Sequence, residues 1–540
     1  MGLKLHSAST PTVLCCLLGL AFAPLFSGTS HANVGSLSAF AHSVSGATAK
    51  DPVLADAYSE RSFTPIWTDP ANVARLSALF DALSNADYHG LPVGRYDPTS
   101  LVRAVSEART EGDLGRLDVR LTKAFLDYAT DLTSGITTPA KIDPGILRKV
   151  IRPEPAVLIA GLLASSNPAE YLQSLAPSTP NYARLLREKI YLEQKIASDS
   201  SSNTLTYVDL PFGSEGAAVI ALRDRLIDLG YLAQTAVASY DLSLRRAVQR
   251  FQIERGLTSD GVATEATIEA LNTTDHQRLK SVIVALERLR WLGSPDFSGR
   301  YIWVNLPDFT AKIFDGGKLV FQTRSVIGKA ASDTRTPEFS DEMEYMVVNP
   351  SWGVPRSITV KEYLPLLQRN ANAVSQLDVV DRSGRVIPRS AVNFASYSAK
   401  SFPFGLRQKP SESNALGLVK FLFPNTNNIY LHDTPSKNLF AKDVRAYSHG
   451  CIRLGDPFDF AYALLAVQSD DPQAEFAEVL DSGRETSIIL DQHVPVHLVY
   501  FTAWPNAKGE IEYRNDIYGR DGLILDALVA AGVVLPGISR

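Results

Sequence analysis

One short window holds the residues most capable of chemistry. Tyr430-Leu431-His432-Asp433-Thr434 is followed by Ser448-His449-Gly450-Cys451-Ile452-Arg453-Leu454, which places two histidines, a cysteine and an arginine close together. A thiol attacks a carbonyl carbon as its thiolate, so it needs a neighbouring base or positive charge to bring its pKa down from about 8.5. His432 lies nineteen positions before Cys451, far enough for a loop to return the imidazole to the sulfur. Gly450 opens backbone conformations closed to a side chain and lets the chain approach a substrate closely. The amides of Gly450 and Cys451 are then the candidates to hold the oxyanion of a tetrahedral intermediate. Acyl transfer through a thioester is the chemistry that these residue types support.

The window resembles the signature of the L,D-transpeptidases, the cysteine enzymes that cross-link peptidoglycan: an early histidine, a spacer, then Ser-His-Gly-Cys-x-Arg. The resemblance, to the large multidomain members with a YkuD-type catalytic domain, implies that Cys451 is the nucleophile and His432 the base. It gives the duty of orienting the His432 ring to a backbone carbonyl rather than to the Asp433 side chain. Ser448, His449, Gly450 and Arg453 are the candidate supporting and oxyanion residues, and Tyr430 and Trp352 the candidate walls of the cleft. Arg453 either binds the carboxylate of a stem peptide or supports its loop by hydrogen bonds, with the second favoured. His449 either positions the site or packs as a structural histidine.

The resemblance further implies stem peptides of peptidoglycan as donor and acceptor, cross-links between third-position residues, acylation by carbapenems, and no cofactor or metal. Two alternatives stand beside it: a cysteine-dependent L,D-carboxypeptidase or endopeptidase, in which water is the acceptor, and a wall-binding protein without activity. A zinc hydrolase built on His432, His449 and Cys451 is a third, but neither His-Glu-x-x-His nor Cys-x-x-Cys accompanies these residues.

A chain of 540 residues exceeds one ordinary core, so two to four domains are expected. The composition, 45% hydrophobic and 21% charged with a net charge of −5, is that of a globular protein and lends no support to nucleic-acid binding. Near the N-terminus Lys4 precedes an apolar run from Val13 to Phe26, broken by Pro24, and Ser30-His31-Ala32 offers small residues at the two positions a signal peptidase reads. The run is shorter than the ~18–20 residues that span a bilayer, so residues 1–32 read as a cleaved signal peptide, with an uncleaved anchor as the alternative. Export puts the protein in the periplasm or cell envelope, where peripheral association with the inner membrane or wall is open to it.

There are three cysteines, and Cys15 and Cys16 would leave with the signal. A lone thiol in an exported protein has no internal disulfide partner and is an oxidation liability when idle. The alternative, an inert buried cysteine, sits poorly between His449-Gly450 and Arg453.

The elements that must position this window read as an α+β multidomain chain. Residues 33–203 form a helical scaffold: Leu76, Leu79, Phe80 and Leu83 recur at helical spacing before Gly90, as do Leu117, Leu121, Phe125, Tyr128 and Leu132 before Gly135. After a polar linker at 198–203, residues 204–275 contain three short helices, the first capped by Ser214. Ala247-Val248-Gln249-Arg250-Phe251-Gln252 with Asp260-Gly261 resembles a three-helix peptidoglycan-binding module; a spacer bundle that binds nothing is the alternative. A connecting helix, 276–298, carries Val282, Leu286 and Leu289 on one side.

From Tyr301 the period changes to that of strands, and 299–503 reads as a mostly-β catalytic domain with a hairpin at Asp315-Gly316-Gly317. Strand patterning lapses over about 356–413, which reads as an inserted lid. Residues 504–540 are a C-terminal extension of hairpin plus helix, with no role assigned.

Overall fold

The fold is that of a computed structural model describing residues 37–198, 204–293, 295, 297–331 and 333–536. The signal-peptide reading at 1–32 and most of the polar linker lie outside the described residues. No helix of the described residues is long and apolar enough to cross a membrane. Two units are distinguished. One comprises the chain up to Asp81 with Thr99–Leu126 and Pro155–Ala169, the other Ala82–Pro98, Asp127–Glu154 and everything from Glu170 onward. The helical region at 33–203 therefore contributes to both.

The first unit is organised by a single buried carboxylate. The helix Glu111–Ser134, which ends at the left-handed Gly135 as its spacing predicts, carries Asp118 on its inner face. Asp118 accepts hydrogen bonds from the Tyr58 hydroxyl at 2.6 Å, from the amides of Ile66, Trp67 and Thr68 at 3.0, 2.9 and 2.9 Å, and from the Thr68 hydroxyl at 2.9 Å. Without that carboxylate three amides would lose their partner, while the Tyr58 phenol would keep only Thr122 Oγ1 at 2.7 Å, and each unsatisfied buried group costs about 1–3 kcal/mol. Asp118→Ala is therefore expected to destabilise this unit by about 3–5 kcal/mol, read as a lowered urea midpoint for its transition.

In the second unit the three-helix module forms from Ala217–Asp228, Leu242–Arg255 and Glu265–Leu271 around Leu222, Leu226, Val248, Phe251 and Leu271. Gln252 is buried because its amide is fully used, donating to Asp260 Oδ1, the Val262 carbonyl and Thr267 Oγ1 and accepting from the Gly261 amide. The cap expected of Ser214 is not made: Gly216 occupies the N-cap position, and Ser214 Oγ donates to the Pro211 carbonyl instead.

The expected connecting helix, observed as Asp275–Leu292, is buried nearly all round rather than on one side, with Arg278, Glu287, Arg288 and Arg290 inside. Apolar periodicity cannot reveal this, because the polar residues are buried by finding partners far away in sequence. Glu287 accepts from the Thr137 amide and hydroxyl at 2.9 and 2.8 Å and from Trp291 Nε1 at 3.1 Å. Arg288 pairs with Glu338 and Asp521.

The C-terminal half supplies the strands. In chain order they are β1 (Tyr301–Asn305), β2 (Thr310–Asp315), β3 (Lys318–Gly328), β4 (Phe339–Val348), β5 (Trp352–Gly353), β6 (Leu377–Val380), β7 (Gly405–Gln408), β8 (Val419–Leu422), β9 (Leu431–His432), β10 (Ala446–Ser448), β11 (Ile452–Leu454), β12 (Thr486–Val499), β13 (Ala503–Pro505) and β14 (Ile511–Tyr513). Nine of them form one sheet in the order β10-β3-β11-β9-β8-β4-β12-β1-β2, and β3 also pairs with β2, so the ladder closes on itself. Between β2 and β3, Gly316 and Gly317 both have positive φ, as a two-residue hairpin turn following the strand twist requires. Val419, Phe421, Leu431, Ile452 and Leu454 all point into the sheet's apolar core.

The segment expected as an inserted lid, where strand patterning lapses, has strands of its own. Strand β7 pairs with both β5 and β6 in a separate three-stranded sheet, accompanied by a helical stretch over Arg356–Arg369. Leu364, Leu367, Leu377, Val379, Phe394, Phe402 and Leu406 give this cap its own core. Its strands are four residues or shorter, too brief for alternation to stand out in the sequence.

Candidate active site

Strands β9 and β11 run parallel, with Ile452 opposite Leu431 and Arg453 opposite His432. Successive side chains alternate between faces. Because Leu431 and Ile452 point into the core, Tyr430, His432, Cys451 and Arg453 share the other face. Strand β8 adds Lys420 directly opposite His432. The result is a row across three strands in which an imidazole lies between two cations, with the sulfur one step away.

Each group is held by identifiable bonds. His432 is buried, and its Nδ1 lies 2.5 Å from the carbonyl oxygen of Asp433. A carbonyl can only accept, so Nδ1 carries the hydrogen and Nε2 is left bare to take a proton. The Asp433 side chain is occupied elsewhere, accepting from the amides of Leu418 and Thr434 and from Lys437 Nζ at 2.9, 2.6 and 2.7 Å. The Cys451 thiol donates to the Asn428 carbonyl at 3.5 Å, and Asn428 is held in the left-handed region at φ 52°. Both the hydroxyl and the backbone amide of Tyr430 are hydrogen-bonded to the sulfur.

Electrostatics set the resting charge state. Burial pushes the Cys451 thiol up to about 11, although the Tyr430 hydrogen bonds and the charge of Arg453 favour its thiolate. Burial, with Arg453 and Lys420 adding to it, pulls His432 down to about 3, against the Asp433 and Leu416 carbonyls, which favour the imidazolium. Both shifts favour the proton on sulfur and a neutral imidazole. Because Arg453 favours the thiolate, Arg453→Gln is expected to raise the thiol's pKa and slow alkylation of Cys451 by iodoacetamide at pH 8, measured by intact mass.

The remaining sequence candidates take different places. Gly450 has φ 116°, a conformation that disfavours any side chain, but its amide donates to Ser448 Oγ at 3.1 Å and is not available to an oxyanion. Ser448 Oγ in turn donates to the Cys451 carbonyl at 2.5 Å, tying the turn together. Among the described residues the Cys451 amide makes no such bond. His449 is not a packed structural histidine: it reaches out to the cap, with Nε2 2.6 Å from Glu362 Oε1. Lys361 of the cap is likewise 2.8 Å from Asp333 on the loop after β3.

Among the described residues the buried Nε of Arg453 has no hydrogen-bond partner. Tyr430 adjoins the sulfur as expected. Trp352 is part of the cap, meeting Tyr363 edge-on at 6.5 Å, and no described ring contact or hydrogen bond joins it to Cys451. Among the described residues no three His, Cys, Asp or Glu side chains converge as a metal site, so His432, His449 and Cys451 do not form one.

Lys420 and Asn428 were missed in the sequence. Lys420 carries a signal that could have found it, a lone lysine on the strand Val419-Lys420-Phe421. Asn428 contributes only its carbonyl, which no residue type announces.

A closed, mostly-β domain presenting a cysteine and a histidine from neighbouring strands is the class that fold and site define. Comparison with known proteins is specific about which. Residues 299–470 match the L,D-transpeptidase catalytic domain, 215–271 a "Putative peptidoglycan binding domain" and 52–188 a "Scaffold domain". The chain thus has a multidomain architecture, in which a segment matching the L,D-transpeptidase catalytic domain follows one matching a putative peptidoglycan-binding domain. It is 33% identical over 237 residues to a "Putative L,D-transpeptidase" of Haemophilus influenzae, a match covering 44% of this chain and 47% of that protein. The chain therefore spans about half the length of the curated relative it matches.

Among solved structures it is similar to an L,D-transpeptidase (residues 123–326) from Xylanimonas cellulosilytica, at 17% identity and a TM-score of 0.17, covering 54% of this chain and 98% of that one. An L,D-transpeptidase from Stackebrandtia nassauensis has 15% identity and a TM-score of 0.21, covering 54% and 97%.

Proposed function

We propose that the protein is a peptidoglycan L,D-transpeptidase of the cell envelope, exported by its N-terminal segment, that joins third-position stem residues through a thioester on Cys451. The observation that supports this reading is the pairing of β9 with β11, which sets His432 opposite Arg453 and so brings Cys451 onto the neighbouring strand end, with Nδ1 of the imidazole held by the Asp433 carbonyl. As the sulfur attacks the carbonyl joining the third stem residue to the terminal D-alanine, its proton passes to His432 Nε2. The Cys451 amide takes the oxyanion. On collapse the C–N bond breaks, His432 returns the proton to the departing amine, and D-alanine leaves. The side-chain amine of a second stem then attacks the thioester, giving its proton to His432, and the C–S bond breaks to release the cross-link and the thiol.

Because both shifts favour a neutral pair, attack and proton transfer proceed together rather than from a stored thiolate. Arg453, cationic and with an unpartnered Nε on the same face, is suited to the carboxylate of the donor stem. Mass spectrometry of muropeptides after incubation tests the reading: cross-linked dimers are expected. Trimmed monomers alone would replace the transferase with a hydrolase using the same cysteine, and no change in a folded sample would leave a wall-binding protein.

A further inference from the structure

We propose that the C-terminal extension is part of the catalytic apparatus: Tyr518 and Arg520 are positioning residues that aim the Cys451 amide through Thr336. This rests on Cys451 being the nucleophile.

Thr336 is fully buried, and all its polar groups are committed. Its hydroxyl donates to the Gly450 carbonyl at 2.8 Å and accepts from the Gly328 amide at 2.9 Å. Its own amide donates to the Tyr518 hydroxyl at 3.2 Å, and its carbonyl accepts from Arg520 at 3.2 Å. The Tyr518 hydroxyl passes its hydrogen to the Gly328 carbonyl at 2.7 Å. Thr336 is therefore gripped from both ends by residues 518–520, while its side chain grips the turn before the cysteine.

The Gly450 carbonyl and the Cys451 N–H belong to one planar trans peptide and point in opposite directions. Holding the carbonyl on Thr336 thus aims the amide away from it, toward the open face of the turn where an oxyanion would form. A hydrogen bond accepted by that carbonyl also makes the N–H on the same peptide a better donor. Gly450, at φ 116°, gives the peptide no side chain of its own to hold it, so its direction is set from outside. The anchors are rigid. Arg520 is fully buried and bonded to Glu338 Oε1 at 3.0 Å, and Tyr518 stacks on Tyr500 with ring centroids 5.6 Å apart. At Gly328 a Cβ would lie 2.0 Å from the Thr334 carbonyl oxygen, so only glycine allows the loop to close on the turn.

The test compares Tyr518→Phe, Thr336→Val and Thr336→Ser with the wild type in the full chain. Alkylation of Cys451 by iodoacetamide reads thiol reactivity and needs no oxyanion donor, whereas acylation by a stem tetrapeptide does. Loss of a whole oxyanion donor costs about 10²–10³-fold, and a misdirected one part of that. Tyr518→Phe and Thr336→Val are therefore expected to slow acylation about 10–30-fold while alkylation stays within about twofold. Thr336→Ser, which keeps the hydroxyl, restores acylation. Hydrogen exchange in peptides spanning 446–454 is expected to quicken in the first two variants.

Unchanged acylation, or acylation and alkylation falling together, overturns the proposal. Should Thr336→Val fail to fold, Tyr518→Phe carries the test. If the wild type itself is not acylated, the transpeptidase reading fails separately. The exchange measurement then decides the positioning role alone, unchanged exchange in Tyr518→Phe ending it.

Discussion

Cys451→Ala is expected to leave a folded protein that makes no cross-linked dimers, a loss on the order of 10⁵-fold or more in kcat/KM. The size follows from the chemistry. In the proposed mechanism the sulfur is the atom that becomes acylated, so nothing replaces it, and what survives is binding and an idle oxyanion donor. Packing is a small part of the effect, because Cys451 is only partly buried and alanine fills nearly the same space. Three measurements check this together: dimer yield by mass spectrometry, thermal melting within a few degrees of wild type, and absence of the single acyl adduct that carbapenem treatment is expected to add to the wild type. Dimer formation persisting in the folded variant would remove the thioester from the reaction.

His432→Ala is expected to lower kcat/KM at pH 7 by about 10²–10⁴-fold, the usual worth of a positioned general base. The deficit should shrink as pH rises. A thiol with a pKa near 11 is thiolate in only about one molecule in 10³ at pH 8, and the fraction grows roughly tenfold per pH unit. Solvent hydroxide can then do for the variant what the imidazole does for the wild type. The same reasoning applies to the wild type without substrate, where iodoacetamide alkylation should rise about tenfold per unit from pH 7 to 9. A flat alkylation profile above pH 5 would mean a stored thiolate–imidazolium pair instead. Loss of rate in His432→Ala that stays constant with pH would make the histidine structural rather than a base.

Much of the site is legible in the residues because it is local. His432 ends one short strand and Cys451 immediately precedes another, and their neighbours Leu431 and Ile452 are strongly apolar, so the parity of the pattern already puts both functional groups on the face away from the core. The left-handed glycines at 135, 256 and 316–317 stop helices or turn the chain where their spacing indicates. The cap is a different case. Strands of four residues are too short to show a period, and its sheet exists only because β5, β6 and β7 pair across long stretches of chain.

Amino-acid order determined which side chains could do chemistry, which faces they share and how many kinds of domain the chain contains, since these follow from residue type and from repeats a few positions long. Tertiary structure alone decided the rest. It gave the Gly450 amide to Ser448, turned His449 to a carboxylate of the cap, and buried the imidazole between Lys420 and Arg453, where burial first and the two cations second favour its neutral form. It also brought Tyr518 and Arg520, about seventy residues downstream, to the far side of the turn before the cysteine. Burial and charge act through space, and no spacing along the chain records which distant groups will share a low-dielectric neighbourhood.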